Sequence, residues 1–416
     1  MSYRILRWFI VALLFLATTI NYVDRQTLSV LSPTLRAELK LTETDYANVV
    51  TAFLIPYTIM YSAAGRLIDL LGVRLGAALC LAWWSAATAL TAAARGARSL
   101  ALYRFLLGLG EPGIFPAGVK ACAEWFPERE RALPTGIFSS GSAVGAVLAP
   151  PLIALLTLKL GWRAAFLVPG AMGLLWLPFW LRIYHPPARH PLLSKSGFAR
   201  FAPAAEQADR IPWLRLLKLR NVWALVLPRL ASDPVWYFYV FWLPDYLQRE
   251  RHLSLGQIAA YGWVPFLLAD LGNVGGGALS DWLIRRGVRP AKARLILLGA
   301  VGCLAPFGAL VGRVQSLASV IALAGLAAFL CQCWSTNVAT LAADVTPRTA
   351  TASVIGMMGT AGSLGGALFS QLLGLVISRF GYPFAFLLAA TLHPLAAMTL
   401  ILLLRAPGPR QAGPTQ

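Results

Sequence analysis

Long apolar runs separated by short polar turns dominate the chain. A helix that crosses a bilayer needs about 20 mainly apolar residues. The runs lie near 7–30, 47–68, 75–94, 99–121, 133–158, 163–183, 221–247, 256–280, 293–312, 317–342, 350–378 and 382–404. This pattern predicts an all-α polytopic membrane protein with twelve transmembrane helices.

The longest polar stretch, residues 185–219, lies between the sixth and seventh apolar runs, and we interpret it as a cytoplasmic linker. Short motifs recur on its two sides: "GRLIDLLGVR" (65–74) with "GALSDWLIRRG" (277–287), "GSAVGAVL" (141–148) with "GSLGGALF" (362–369), and "GWRAAF" (161–166) with "GYPFAF" (381–386). Transporters are commonly built from such repeats, with substrate bound between them. We therefore expect two pseudo-symmetric six-helix bundles, at 1–184 and 220–405, and a cytoplasmic tail at 406–416.

The composition supports membrane insertion, because 58% of the residues are hydrophobic and only 13% are charged. The net charge of +19 could indicate nucleic acid, but Lys and Arg collect in the cytoplasmic loops of membrane proteins. The basic residues concentrate in every second loop and at the chain ends, which predicts that both termini face the cytoplasm. We expect no nucleic-acid partner. The N-terminal apolar run has no convincing cleavage site and is interpreted as an uncleaved first helix.

Nothing in the sequence indicates an enzyme. There is no GxxxxGK[ST] phosphate loop, no HExxH metal motif and no sizeable polar domain, which argues against an ATP-driven pump or an intramembrane protease. The five cysteines lie within or at the ends of apolar segments and are interpreted as small core residues. We expect no metal site, no cofactor and no redox chemistry.

The repeated polar turn carries a family resemblance. It resembles the GxxxDRxGRR loop of the major facilitator superfamily, with Leu70 where the family usually has Arg. Glycine permits a tight turn, and the acid can pair across the seam between the halves in one conformation only. Four residues of the two copies are therefore expected to gate the transporter: Asp69, Arg74, Asp281 and Arg285.

A narrower resemblance covers nearly the whole chain. The stretches "NYVDR" (21–25), "RFLLGLGEPGIFPA" (104–117) and "EWFPERERA" (124–132) look like the anion:cation symporter family within that superfamily. The stretches "DPVWYFYVFWLPDYL" (233–247), "GGALSDWLIRRG" (276–287) and "WSTNVATLAADVTP" (334–347) look most like its bacterial hexuronate branch. The resemblance implies a multi-pass protein of the bacterial inner membrane that imports sugar acids.

Four charged residues fall inside the predicted helices of the first half: Asp24, Arg25, Arg104 and Glu111. A charge at mid-membrane costs at least about 2.5 kcal/mol on insertion scales, so such residues are functional candidates. A buried structural ion network is the alternative. We interpret Arg25 as the ligand of a substrate carboxylate, since a guanidinium can bind it in bidentate fashion. Asp24 and Glu111 are the candidate proton carriers, and Arg104, two helical turns before Glu111, should face the same direction.

Polar and aromatic residues complete the candidate site. The resemblance implies that the hydroxyls of Tyr22 and Tyr57 reach the substrate and assigns the four charged residues to proton coupling and anion binding. At Ser142 the aldonate carriers of the family have a longer amide side chain, so a serine disfavours an aldonate. In the second half the candidates for the sugar are Trp236, Tyr237, Trp334 and Asn337, although aromatic residues at helical spacing can also serve packing alone.

These residues predict a proton-coupled symporter that imports a sugar-acid monoanion, a hexuronate, by alternating access. Its partners would be a small carboxylate substrate, a proton and the lipid bilayer, and nothing in the sequence requires more than a monomer. Other functions on the same fold remain open: transport of an aldonate, aldarate or aromatic acid, anion exchange, or drug export.

Overall fold

The computed structural model describes residues 3–191, 211–253, 257 and 261–404. Most of the predicted linker, 192–210, and the predicted tail, 406–416, lie outside the described residues. The described ranges contain helices and no strand, which confirms the all-α prediction. The α-helices are α1 (Tyr3–Val30), α2 (Ser32–Glu38), α3 (Glu43–Thr91), α4 (Ala97–Gly110), α5 (Ile114–Trp125), α6 (Ala132–Leu160), α7 (Ala164–Ile183), α8 (Trp213–Leu216), α9 (Arg220–Arg249), α10 (Val264–Arg285), α11 (Pro290–Leu304), α12 (Leu317–Val345) and α13 (Thr351–Leu403).

Seven of the described helices are long and apolar enough to cross a membrane. Two of them, α3 and α13, have 49 and 53 residues, and at about 1.5 Å per residue each can cross a 30 Å hydrocarbon core twice. Both contain one glycine with a non-helical backbone, Gly72 (φ 79°) and Gly381 (φ 75°), where the chain turns. The chain is thus a multi-pass helical protein, and the number twelve stays a prediction.

The repeated sequence motifs also share an unusual backbone conformation. Among the described residues, four glycines have positive φ: Gly72 and Gly287 open a Gly-Val-Arg turn in each half, and Gly161 and Gly381 begin the third repeated motif. Left-handed backbone is readily accessible to glycine and strained for other residues. The same special backbone therefore occurs at matching points of the two copies.

The main contacts between the first and second halves of the described chain are made by two helix pairs, α3 with α13 and α6 with α10, and α5 and α12 add smaller ones. The two helices of each pair approach closely because glycine, which has no side chain, lies at the crossing. A Cβ atom would not fit at these positions, where each glycine lies against the backbone of the opposite helix: Gly65 at Ala352, Gly356 at Tyr61, Gly136 at Asn273 and Gly277 at Ala132.

All five cysteines are free. Four of them, Cys80, Cys122, Cys331 and Cys333, are buried as the sequence predicted, whereas Cys303 is exposed on α11. The prediction of a core residue is therefore wrong for Cys303, which lies on the outer side of an apolar helix.

Candidate functional site

A cavity lies between helices of the two halves. Helices α1, α3 and α6 with the Glu111–Gly113 turn form one wall, and α9, α12 and α13 form the other. Its empty volume is about 970 Å³, including the space at its open mouth. Eight of the predicted site residues line it: Tyr22, Arg25, Tyr57, Glu111, Ser142, Trp236, Tyr237 and Trp334.

Arg25 and Glu111 form an ion pair at the wall of the cavity. Nε of Arg25 donates to Oε1 of Glu111 at 2.7 Å, and Nη2 lies 2.5 Å from the same oxygen. The Arg25 side chain is 25% exposed, whereas the Glu111 side chain is fully buried. The second carboxylate oxygen of Glu111, Oε2, is buried without a hydrogen-bond partner among the described residues. The cation is therefore open to a ligand, while its carboxylate partner is not.

Aromatic rings hold the guanidinium of Arg25 in place. Its central carbon lies 4.9 Å from the ring centre of Tyr22, 4.8 Å from Tyr57 and 5.8 Å from Phe53. A cation over an aromatic face is attracted by the ring quadrupole, and the flat guanidinium stacks well on such rings. The rings thus orient Arg25 without neutralising its charge.

The structure does not bring Arg104 to the cavity lining. Helix α4 keeps its regular spacing up to Glu111, whose backbone N–H donates to the carbonyl oxygen of Leu107, and the 3₁₀ turn with Pro112 follows. Arg104 is buried, with its guanidinium carbon 4.4 Å from the Phe53 ring centre. Both arginines thus lie near the Phe53 ring, but only Arg25 lines the cavity.

Asp24 also lies outside the cavity lining. Consecutive helical residues are rotated by about 100°, so Asp24 points away from the face that carries Arg25. Its carboxylate is buried and neither oxygen makes a hydrogen bond of normal geometry within the described chain. Its polar neighbours are the side chains of Trp84 and Thr88 on α3. The acid and the arginine that adjoin in sequence thus face different environments.

In this conformation Asn337 contacts a neighbouring helix and does not line the cavity. Its Nδ2 donates to the carbonyl oxygens of Cys333 (2.9 Å) and Gly276 (3.2 Å), which ties α12 to α10. Trp334, one turn earlier, does line the cavity.

Asp69 and Asp281 each cap a helix of the other half. Asp69 accepts from the backbone N–H of Ser353 at 2.6 Å in the first turn of α13, and Asp281 accepts from that of Leu133 at 2.9 Å in the first turn of α6. The first turn of a helix carries unpaired N–H groups and a partial positive charge, which suits a carboxylate. We call these two interactions the crossed caps.

The basic partners of the crossed caps are residues that the sequence did not single out for gating. Lys120 pairs with Asp69 at 2.6 Å, and Arg294 pairs with Asp281 at 3.0 Å. Arg74 instead donates to the carbonyl oxygen of Leu181 within the first half, and Arg285 is exposed.

Several cavity residues were absent from the predicted site. Asn21 could have been found, because residues 18, 21, 22 and 25 fall on one face of α1 and all line the cavity. Asp233 and Ser335 lie within the stretches that resemble the hexuronate branch, and Arg229 is a charged residue inside the seventh predicted run, whereas Tyr61 and Gln332 lie in no quoted motif.

A helical membrane protein with a repeated backbone and a charged cavity between its halves has the construction of a secondary transporter. The model of the Major Facilitator Superfamily matches residues 14–370, and the chain belongs to this family. This confirms the predicted fold and shows that the protein is a transporter and not an enzyme.

Several named proteins can be aligned with most of this chain. The hexuronate transporter of Escherichia coli (strain K12) is 31% identical over 404 residues, which cover 95% of this chain and 93% of the relative. The galacturonate transporter of Dickeya chrysanthemi is 34% identical over 278 residues, 65% of this chain and 81% of the relative. The probable L-galactonate transporter of E. coli is 32% identical over 323 residues, 76% of this chain and 71% of the relative.

Solved structures share the fold. The Major Facilitator Superfamily transporter FucP in its outward conformation superposes with a TM-score of 0.73 at 16% sequence identity, covering 96% of this chain and all of that one. The human organic anion transporter MFSD10 gives a TM-score of 0.72 at 17% identity, covering 95% and 99%.

Proposed function

We propose that the protein imports a sugar-acid monoanion, a hexuronate, together with a proton. The observation that carries the proposal is the Arg25–Glu111 pair, in which the cation is open to the cavity and the carboxylate is fully buried.

A substrate carboxylate would compete with Glu111 for Arg25. A carboxylate binds a guanidinium best through two parallel hydrogen bonds, and Glu111 already occupies Nε and Nη2. Once displaced, an ionised Glu111 would be a buried charge without a counter-ion, which is unfavourable by about 3–5 kcal/mol. Taking up a proton removes that penalty, so substrate and proton bind together. Asp24, also a buried carboxylate, is the second proposed proton carrier.

The lining of the cavity suits a sugar acid. Trp236, Tyr237 and Trp334 offer aromatic faces to the C–H side of a sugar ring, and Gln332 can exchange hydrogen bonds with hydroxyls. Ser142 leaves space on the α6 side. Relatives that carry the names of hexuronate and galacturonate transporters support this substrate class.

We further propose that the crossed caps lie at the cytoplasmic end. Basic residues concentrate around them, as expected for cytoplasmic loops. Since the two halves are closed there, the substrate would enter the cavity from outside, and opening of the crossed caps would release it inside. We propose that the bilayer-embedded monomer does this alone, with both termini in the cytoplasm.

Replacing Glu111 with glutamine tests the coupling. Purified Glu111→Gln protein in liposomes should lose accumulation of glucuronate or galacturonate driven by a pH gradient, because glutamine cannot exchange a proton. Counterflow of the same hexuronate should continue, since Arg25 is still available to it. The measurement is uptake of labelled hexuronate with and without a gradient.

Glu38→Gln is the matched control, because Glu38 accepts a hydrogen bond from Trp162 away from the cavity and glutamine can still accept it. Gradient-driven accumulation by Glu111→Gln equal to that of Glu38→Gln would remove Glu111 from proton coupling. Failure of the native protein to transport either hexuronate would overturn the substrate assignment.

A further inference from the structure

A second arginine–carboxylate pair lies on the opposite wall of the same cavity. Nη2 of Arg229 is 2.9 Å from Oδ2 of Asp233, one turn apart on α9, and both residues line the cavity. Nη1 of Arg229 donates to Oγ of Ser335 on α12 at 3.2 Å. The Asp233 side chain is 19% exposed and that of Arg229 10%. In this pair the carboxylate is thus the more accessible partner, the reverse of the Arg25–Glu111 pair.

Helix α13 holds this pair against the cavity through its glycines. Gly362 packs on the Asp233 carboxylate and Gly366 on the Tyr237 ring, and a Cβ atom would fit at neither position. Pro228 and Pro234 flank the pair within α9 and interrupt its backbone hydrogen bonds. The close approach of the two helices turns Asp233 and Tyr237 towards the space between the halves.

Tyrosines connect the two pairs. The Tyr57 ring lies 4.8 Å from the Arg25 guanidinium carbon and 5.5 Å from the Tyr61 ring. Tyr61 in turn lies close enough to Arg229 and Asp233 to interact with both electrostatically. Hydroxyl-bearing rings therefore line the way from Arg25 towards Asp233.

We infer that Asp233 makes the cavity select a monoanion over a dianion. This inference rests on the proposed function and adds the charge that the far end of the substrate must have. A carboxylate accepts hydrogen bonds from two neighbouring hydroxyls, so the neutral end of a hexuronate fits Asp233. The second carboxylate of an aldarate would face Asp233 as a like charge in a partly desolvated site. It could reach Arg229 only by displacing Asp233.

The variant Asp233→Asn tests the selection, because it keeps the shape of the side chain and removes its charge. Arg229 then becomes a free cation at the far end of the cavity. Binding of glucuronate and glucarate, which share a carbon skeleton, is measured by calorimetry on the purified full-length protein. We expect Asp233→Asn to raise the affinity for glucarate relative to glucuronate by at least about tenfold, which corresponds to about 1.4 kcal/mol.

Asp245→Asn is the matched control. Asp245 is on the same helix and pairs with Arg249 one turn later at 2.9 Å, but it is outside the cavity lining. It should leave the glucarate-to-glucuronate ratio unchanged. Asp233→Ala, which also removes the charge, provides a second variant and should shift the ratio in the same direction with weaker binding of both ligands.

The outcomes separate the inference from the function on which it rests. Glucuronate binding with an unchanged ratio in both Asp233 variants would overturn the selection by Asp233 and leave the transport proposal standing. Equal affinity of the native protein for glucarate and glucuronate would also overturn the selection by Asp233 and leave the transport proposal standing. Native protein that binds neither glucuronate nor galacturonate would overturn the proposed function itself.

Discussion

Arg25 is paired with a carboxylate, held by aromatic rings and still open to the cavity. Its charge is matched by Glu111, its plane is fixed by Tyr22 and Tyr57, and a quarter of its side chain still faces the cavity. The sequence predicted Arg25 as the ligand of a substrate carboxylate, because a guanidinium can bind one in bidentate fashion, and this role stays a prediction. It could not show that the neighbouring Asp24 points elsewhere, since that depends on which helix covers each face of α1.

Arg25→Lys should weaken hexuronate binding by roughly 10- to 100-fold, because lysine offers a point charge instead of two parallel donors. Lysine also stacks less well on Tyr22 and Tyr57. Calorimetry on the purified variant measures the change. Arg249→Lys, on an exposed side chain, controls for the substitution itself. Affinity within threefold of the native value, roughly the limit of a significant difference, would remove Arg25 from carboxylate binding.

Where a helix is continuous, its bounds agree closely with those of the predicted apolar run. The predicted runs 163–183 and 317–342 correspond to α7 (Ala164–Ile183) and α12 (Leu317–Val345). The run 99–121 was predicted as one helix, but the structure interrupts it with a 3₁₀ turn at Pro112, which lacks a backbone donor. A hydropathy window of about 20 residues averages over the short Glu-Pro-Gly turn and so does not report the break, which the Pro-Gly pair signals only locally.

Gly65→Ala should shift the protein away from the conformation with the crossed caps closed. The new methyl group would collide with the backbone of Ala352 on α13, and overpacking of this kind costs about 1–3 kcal/mol. The separation of the two halves can be followed by double electron–electron resonance between labels at Arg129→Cys and Arg286→Cys. Cys303 is replaced by serine because it is an exposed thiol.

The control is Gly374→Ala, on α13, where an added Cβ meets nothing within 4 Å. It should keep the native distribution of label distances. A Gly65→Ala distribution that coincides with that of Gly374→Ala would show that the close α3–α13 contact does not stabilise the closed state.

At the scale of the whole molecule, the repeat determines how the halves are joined. The sequence predicted Asp69 and Asp281 as gating residues from the duplicated motif, and the structure places both as caps on the opposite half. Their basic partners could not be read from the motif, because Lys120 is 51 residues from Asp69 and belongs to a different helix. Spacing along the chain reports contacts within one turn and not contacts between helices.

Asp69→Asn and Asp281→Asn should each open the closed end to a similar extent. Each removes a charge-assisted cap and an ion pair, together about 1–3 kcal/mol, which raises the open population by roughly 5- to 150-fold. The same label pair at Arg129 and Arg286 measures this, with Asp245→Asn as the control. Because the two caps are on different helix pairs, their effects should add. If only one of the two variants opened the closed end, the two copies of the motif would not have equivalent functions.

The crossed caps also bear on how fast the protein can work. If they gate transport as proposed, both must break and re-form in every cycle, so each kcal/mol by which they stabilise the closed end would slow its opening by up to about fivefold. Weaker caps would open more readily but would also let the protein open with a proton and no sugar acid, and under the proposed coupling the proton gradient would then drain without useful transport. The strength of two carboxylate caps thus sets a compromise between turnover and leakage.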